Sequence, residues 1–275
     1  MILLDGKKLS QKIIDGLKEE ILQSEKKMRL AVVVVGQNPV IQKFVAQKRK
    51  TAKYLGIGFK IYPFPDDIST NDFRQKMAVV THNKKNTGVV IQLPLPKQVN
   101  VSYILNSVLP EKDVDMLSVK SMGKFASGKS SILPPVVGAV KALLEEYKME
   151  YKKKNIVIVG AGNLVGKPLA IWLLSQKISF SVVEKDTLAP EKIIKEADIL
   201  ISGIGRPGYI KGDWIKKGAV VIDAGTSEEG SKISGDMDFA SVSEKAGFLT
   251  PVPGGIGPLT VALLYKNLFI LSQQK

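Results

Sequence analysis

Residues 30–36 read LAVVVVG, an unbroken apolar and largely β-branched run that ends in glycine. Such a run suits a strand covered on both faces, because a strand with one wet face would alternate apolar and polar residues. A second run of the same kind occupies residues 89–93, and helical patterns lie between the two. In the segment from Pro39 to Leu55, Asn38 stands at the N-cap, Pro39 takes the first helical position, and Gly56 can close the last turn. The order helix, strand, helix, strand, helix, strand between Leu9 and Leu93 therefore predicts a parallel α/β unit, since parallel neighbours need crossover connections and helices supply them.

A second series begins after the polar, glycine-containing stretch 120–131. A helix over 137–147 leads to a strand at 155–159, then GAGNLVGKP at 160–168 and a helix through Leu174. Strand patterns return at 180–183, 199–202 and 219–222, the spacing of a Rossmann-type sheet. The expectation is an α/β protein of two domains. An N-terminal α/β domain covers 1–119 and a Rossmann-type dinucleotide-binding domain covers 120–275, with a final helix of about 259–272 packing back on the first domain.

A length of 275 residues at 44% hydrophobic content is enough for two ordinary cores. The absence of cysteine excludes disulfides, thiolate zinc sites and cysteine nucleophiles, and fits a reducing compartment. The single histidine, His82 in THNKKN, reads as a solvated loop residue. That leaves no histidine-centred triad and no multi-histidine metal site, so no metal is expected. The opening MILLDGKKLSQKIIDGLKEE lacks the apolar core of a signal peptide, and no run is apolar and long enough to span a bilayer. The reading is a cytoplasmic protein with no membrane partner.

The net charge of +14 raises the question of nucleic acid. Arginine occurs only at positions 29, 49, 74 and 206, and the lysines are scattered beside Glu and Asp, with short clusters such as Lys152-Lys153-Lys154. No basic surface interleaved with aromatics stands out. A lysine-rich solvated surface is the better reading, with no specific nucleic-acid partner and with acidic small ligands or nonspecific polyanions as its beneficiaries.

Four places carry chemistry. In PVPGGIGPLT at 251–260, Pro253-Gly254-Gly255 can bend sharply and present bare amides to a ligand, although a plain tight loop would use the same residues. The apolar run after it, 261–271, reads as a helix beginning just beyond the motif. Gly160, Gly162 and Gly166 lie between a buried strand and a helix, where a dinucleotide pyrophosphate can meet main-chain N–H groups; tight strand-to-helix packing is the bland alternative. Glu184 follows the next strand, where an acid would hold a ribose diol and so favour NAD, while Lys185 leaves NADP open. On the helix after Asn38, Ile41, Phe44, Val45, Lys48 and Ala52 share one face. Lys48 thus projects from an apolar stripe, where desolvation lowers a lysine pKa, unless its stem packs and its ammonium snorkels to water. Gln92 ends a buried strand, pointing into a ligand site or merely tying down the loop that follows.

With its opening LLDGKKLS, VVVVGQNP at 32–39, VVIQLPLP at 89–96, EKDVD at 111–115, GAGNLVGKP and PVPGGIGPLT, the chain resembles the methylenetetrahydrofolate dehydrogenase/cyclohydrolase (FolD) family over nearly its whole length. The resemblance implies a folate-binding catalytic domain, an NAD(P)-binding domain, a cleft between them, and a homodimer. It implies oxidation of methylenetetrahydrofolate by hydride transfer, then hydration and ring opening to 10-formyltetrahydrofolate. By position it makes Lys48 the principal cyclohydrolase residue and Gln92 its positioning partner. It makes Asp115 the carboxylate that accepts the planar donor pair of the pterin; a turn or cap is the other use for Asp113 or Asp115. It adds Phe44, Pro253, Gly254, Gly255 and Pro258 to the substrate contacts. To the cofactor contacts Gly160, Gly162, Gly166, Glu184 and Lys185 it adds Ala161, Val165, Gly257 and Thr260.

Several positions depart from the family pattern. Phe44 replaces a tyrosine, Ile41 a serine, Met116 a glycine, and Pro135 a threonine near the cofactor. The expectation is a dehydrogenase using NADP or NAD on a tetrahydrofolate derivative, with weakened cyclohydrolase activity. Glu184 and Asp186 would repel a 2′-phosphate and Ala161 offers no cation, which leans the choice toward NAD. The alternative is a noncatalytic descendant that binds folate or nucleotide.

Overall fold

The computed structural model describes residues 1–229 and 232–274. In chain order the elements are β1 (Ile2–Leu3), α1 (Gly6–Ser24), β2 (Arg29–Val35), α2 (Pro39–Leu55), β3 (Gly58–Phe64), α3 (Thr70–His82), β4 (Gly88–Ile91), α4 (Val101–Leu105) and α5 (Val119–Ala126). There follow α6 (Pro135–Glu146), β5 (Ile156–Val159), α7 (Gly166–Ser175), β6 (Phe180–Val183), α8 (Pro190–Lys195), β7 (Ile199–Ser202) and β8 (Val220–Asp223). The last are β9 (Ser227–Glu229), β10 (Lys232–Ser234), α9 (Phe239–Ser243), β11 (Phe248–Leu249) and α10 (Ile256–Gln273).

The chain forms two compact units, and a single cut near residue 119 does not separate them. One unit joins Met1–Gln11 to Val136–Thr260; the other joins Lys12–Pro135 to the chain from Val261 onward. The reason at the start of the chain is β1, whose two residues pair in parallel with β11 and so belong to the later sheet. The stretch 120–135, including α5, stays with the earlier residues.

In the unit built on 12–135, β3-β2-β4 form a parallel sheet with β2 at its centre. Ala31, Val33 and Val35 turn to one face, against Phe73, Met77 and Val80 of α3 and Ile104 of α4. Leu30, Val32 and Val34 turn to the other face and are equally buried, as a doubly covered strand requires. Gly88 is tight on that side: an added Cβ would lie 2.6 Å from the side chains of Val114 and of Leu268 on α10. Helix α2 has the ends its sequence signalled. Asn38 Oδ1 accepts from Ile41 N at 3.4 Å; at the other end Gly56 is left-handed at φ 70°, with Ile57 N bonded to Ala52 O at 2.9 Å. This is the paired closure that satisfies orphan helix carbonyls.

The other unit carries a six-stranded parallel sheet in the order β1-β11-β8-β7-β5-β6, with a small antiparallel β9-β10 hairpin beside it in sequence. From β5 the chain moves outward to β6, then returns to β7 on the opposite side of β5. That reversal opens a crevice at the carboxyl end of β5, the usual ligand site of such sheets. Two local expectations shift. Helix α10 begins at Ile256 rather than at about 259, because Pro258 lies in the first turn, where its missing N–H costs nothing. His82 is the last residue of α3, exposed, with Nδ1 2.9 Å from Ala78 O, and is not in the loop. No helix among the described residues is long and apolar enough to cross a membrane.

Candidate active site and cofactor pocket

In the unit built on 12–135, Ile41, Val45 and Ala52 bury one face of α2, and Phe44 and Lys48 on the same face are half-buried. Lys48 Nζ donates to Gln92 Oε1 at 2.9 Å. Gln92 sits at the carboxyl end of β4, its backbone N donating to Val33 O and its Nε2 donating to Leu93 O at 3.1 Å. Both ends of its amide are therefore occupied, one by the loop, as one sequence reading of Gln92 has it, and one by the lysine. From α10 the buried Tyr265 donates its hydroxyl to Lys48 O at 2.7 Å, fixing the helix backbone at the lysine; burial pushes this phenol well above its ordinary range.

The EKDVD turn separates its two aspartates. Asp113 accepts from Ser118 N at 2.9 Å and Leu117 N at 3.3 Å, and thus takes the turn role. Buried Lys112 donates to Thr81 O and Asn83 O at the end of α3, and Asn267 Nδ2 donates to Val114 O at 2.9 Å. Asp115 is held between these anchors. Burial pushes its carboxyl up to about 6, with the Lys48 charge pulling it down and Asp113 pushing it up. Burial also lowers the Lys48 ammonium, while Asp115 holds it up. Burial thus shifts the two groups in opposite directions, the carboxyl up and the ammonium down, while each charge opposes the other's shift. Met116, next in the chain, is fully buried in the left-handed region at φ 57°, a backbone that glycine adopts freely. Pro135 is buried as the first residue of α6.

In the other unit, a cavity of about 280 Å³ opens at the carboxyl end of β5. Gly160, Ala161 and Gly162 form its floor, Glu184 and Lys185 after β6 form one wall, and Ile204, Arg206 and Tyr209 after β7 form the other. Gly160 has φ 92°, and a Cβ on Gly166 would collide with the Gly160 carbonyl, so the turn must be glycine at both places. Gly162 differs: space is open where its Cβ would be. The Glu184 carboxylate accepts from Ala161 N and, at 3.3 Å, from Lys185 N, which sets the acid beside the glycine turn. Lys185 is an exposed partner of Asp186 at 3.9 Å. These features fit a dinucleotide: a glycine-shaped turn and a helix start for phosphates, and an acid beside them for a diol.

Val165 and Gly166 shape the turn from behind, Val165 lying against Gly203. Pro253, Gly254, Gly255, Gly257, Pro258 and Thr260 do not line this cavity. They form a turn and the first turn of α10, where Gly254 O accepts from Lys7 N at 2.8 Å and Thr260 Oγ1 donates to Gly257 O. Sequence reasoning missed Pro190, Gly203, Ile204, Arg206 and Tyr209. The available signal was the glycine-rich GIGRPGY directly after a strand, since ligands in open α/β sheets gather at strand carboxyl ends. Among the described residues, no cluster of His, Cys, Asp or Glu is placed to hold a metal ion.

Comparison with known proteins agrees with this division of labour. The catalytic-domain profile of tetrahydrofolate dehydrogenase/cyclohydrolase matches residues 4–115, and its NAD(P)-binding-domain profile matches 134–275. The chain is 38% identical to the bifunctional protein FolD of Nitratiruptor sp., covering 100% of this chain and 99% of that one. Its structure is similar to that of the bifunctional FolD of Campylobacter jejuni, with TM-score 0.94 and 35% identity over 100% and 99% of the two chains. It is also similar to the Trypanosoma brucei methylenetetrahydrofolate dehydrogenase-cyclohydrolase complexed with NADP and an inhibitor, with TM-score 0.94 and 30% identity over 100% and 98%. Both profiles, the full-length relatives and the Lys48–Gln92 pairing lead to one assignment: the chain belongs to the tetrahydrofolate dehydrogenase/cyclohydrolase family.

Proposed function

We propose that this protein oxidises methylenetetrahydrofolate to methenyltetrahydrofolate with NAD(P), and hydrates the product to 10-formyltetrahydrofolate more slowly. The observation that carries the reading is the hydrogen bond from Lys48 to Gln92, with Lys48 electrostatically coupled to the buried-side carboxyl of Asp115. Asp115 in its ionised form accepts the two parallel N–H donors of the pterin edge. When bound, the nicotinamide ring accepts the hydride. Hydride transfer needs no protein proton donor, so the residues serve it by orientation, which survives the loss of a tyrosine hydroxyl at Phe44.

Hydration asks more of the side chains. Water adds to the methenyl carbon and gives up a proton, and Lys48, its pKa lowered by burial, is the base within the site. Gln92 holds Nζ in place and Phe44 contributes no hydroxyl. The four replacements at Ile41, Phe44, Met116 and Pro135 are the sole motive for a noncatalytic descendant, and the retained Lys48, Gln92 and Asp115 argue against it.

For the cofactor, Glu184 at the glycine turn and Ala161 in place of a cation favour NAD, whereas the Trypanosoma brucei relative was complexed with NADP. A homodimer in the cytoplasm completes the proposal and rests on the family resemblance; light scattering of the purified protein checks the assembly. The central test follows nicotinamide reduction and methenyltetrahydrofolate consumption separately, with NAD and NADP, in the native protein and Phe44→Tyr. We expect dehydrogenase turnover with preference for NAD, and a selective rise in hydration in the variant. No turnover with either cofactor would overturn the reading.

A further inference from the structure

Two carboxylates are buried behind the cofactor pocket, and neither has an ion-pair partner among the described residues. Asp223 closes β8 and is 2% exposed; Asp236 follows β10 and is 0% exposed. Asp236 accepts three hydrogen bonds from the turn after β7: from Ser202 Oγ at 2.7 Å, from Ile204 N at 2.8 Å and from Arg206 N at 2.9 Å. Asp223 accepts from Gly225 N, Asp236 N and Met237 N at 2.9 to 3.1 Å, and its own N donates to Thr250 Oγ1 at 2.7 Å. One acid thus holds the backbone of the other, and the second holds the turn. Glycine is required at 225 and 235, where a Cβ would strike the Asp236 and Asp223 carboxylates respectively.

Burying an unpaired carboxylate is costly unless donors fill its oxygens, and here the donors are almost all backbone N–H groups. What this arrangement determines is the shape of the turn that carries Ile204 and Arg206. Those residues form the pocket wall that faces Glu184. Ile204 packs so closely that an added Cβ on Gly160 would come within 2.7 Å of it, so a shift in the turn reaches the phosphate-binding floor. Arg206 lies over the Tyr209 ring, 5.6 Å from its centroid, and Tyr209 meets Trp214 edge-on. The result is a guanidinium carried over an aromatic ring in the wall opposite the acid.

We propose that Asp236 is a positioning residue for the nicotinamide cofactor, holding the 202–206 turn so that Ile204 and Arg206 close the pocket opposite Glu184, with Asp223 holding Asp236. The proposal rests on reading this cavity as the cofactor site. It predicts an effect confined to cofactor handling, and the reaction catalogue supplies the control, because hydration of methenyltetrahydrofolate uses no nicotinamide.

The experiment compares native protein with Asp236→Asn and the milder Ser202→Ala, which removes one of the three hydrogen bonds. Cofactor Kd is measured by calorimetry with NAD and NADP, together with cofactor KM, kcat at saturating cofactor, and the hydration rate. Asp236→Asn is expected to raise cofactor Kd and KM at least about tenfold, as loss of charge-assisted hydrogen bonds does, and Ser202→Ala less. Hydration and folate KM are expected to stay within about twofold. Cofactor Kd and KM unchanged in Asp236→Asn while native protein binds cofactor, or hydration and dehydrogenation falling together in both variants, overturns the positioning role. If native protein binds neither NAD nor NADP, the cofactor reading itself fails and this inference with it.

Discussion

The Lys48 cluster and the pocket at the carboxyl end of β5 solve different problems with different parts of the chain. Around Lys48 the groups in question are side chains, two of them with charge states moved by burial: an ammonium lowered, a carboxyl raised to about 6, and an amide fixed between the ammonium and the Leu93 carbonyl. Around Gly160 the working groups are backbone amides, and the side chains that matter are those whose absence or acceptor oxygens give the backbone its shape. The lesson is about tolerance. On the proposed reading, a side chain in the first region can change and alter one reaction while the fold stands, which is the effect expected of Phe44. In the second region a single methyl group at Gly160 or Gly166 alters the scaffold.

The contrast breaks most sharply at Lys48. Lys48→Ala is expected to lower hydration by about a hundredfold to ten-thousandfold, the usual range for a positioned base, with a much smaller loss of hydride transfer. Equal loss of both reactions would erase the distinction between chemical and scaffold roles. Next in size, Gly166→Ala places a Cβ against the Gly160 carbonyl. Overpacking of roughly 1–3 kcal/mol should weaken cofactor binding about tenfold to a hundredfold, read by calorimetry, while hydration is spared.

Asp115 sharpens the comparison through pH. Its raised carboxyl, at about 6, is ionised above that value and protonated below it, and only the ionised form accepts both pterin donors. Folate KM is therefore expected to be flat above pH 6 and to rise about tenfold per unit below it. A profile unchanged in Asp115→Asn would show that another group titrates. The smallest effect is expected at Met116. Changing it to glycine relieves about 1–2 kcal/mol of left-handed strain but gives up burial worth about 1.5–3 kcal/mol and adds chain entropy. Urea unfolding should show a net destabilisation of roughly 1 kcal/mol. A stabilised variant would mean that the backbone strain outweighs the packing.

Much of this was legible in the sequence where a periodic signal coincides with a local stop. Helix α2 has both, with Asn38 and Pro39 at one end and Gly56 at the other, and its apolar face pointed to Lys48 before any coordinates. Gln92 was readable because a buried run ended there. What escaped was set by contacts distant in the chain. Two residues of β1 carry no period of their own, and only pairing with β11 places them. Asp113 and Asp115 are identical in type, and their roles separate only when the donors of Leu117 and Ser118 are in place. Asp236 looks like any loop acid until Ser202, Ile204 and Arg206 converge on it from some thirty residues earlier. The start of α10 inside a glycine- and proline-rich motif was hidden because those residues usually interrupt helices, and do so least in a first turn.

The chain crosses between its compact units after Gln11, after Pro135 and after Thr260. Neither unit is therefore a contiguous cassette. A recombination event with one breakpoint near the middle of the gene would pair a β1 edge strand from one parent with the other five strands from another, and would likewise split the Lys48 helix from the Tyr265 hydroxyl that anchors it. Exchanging either unit intact therefore demands more than one breakpoint.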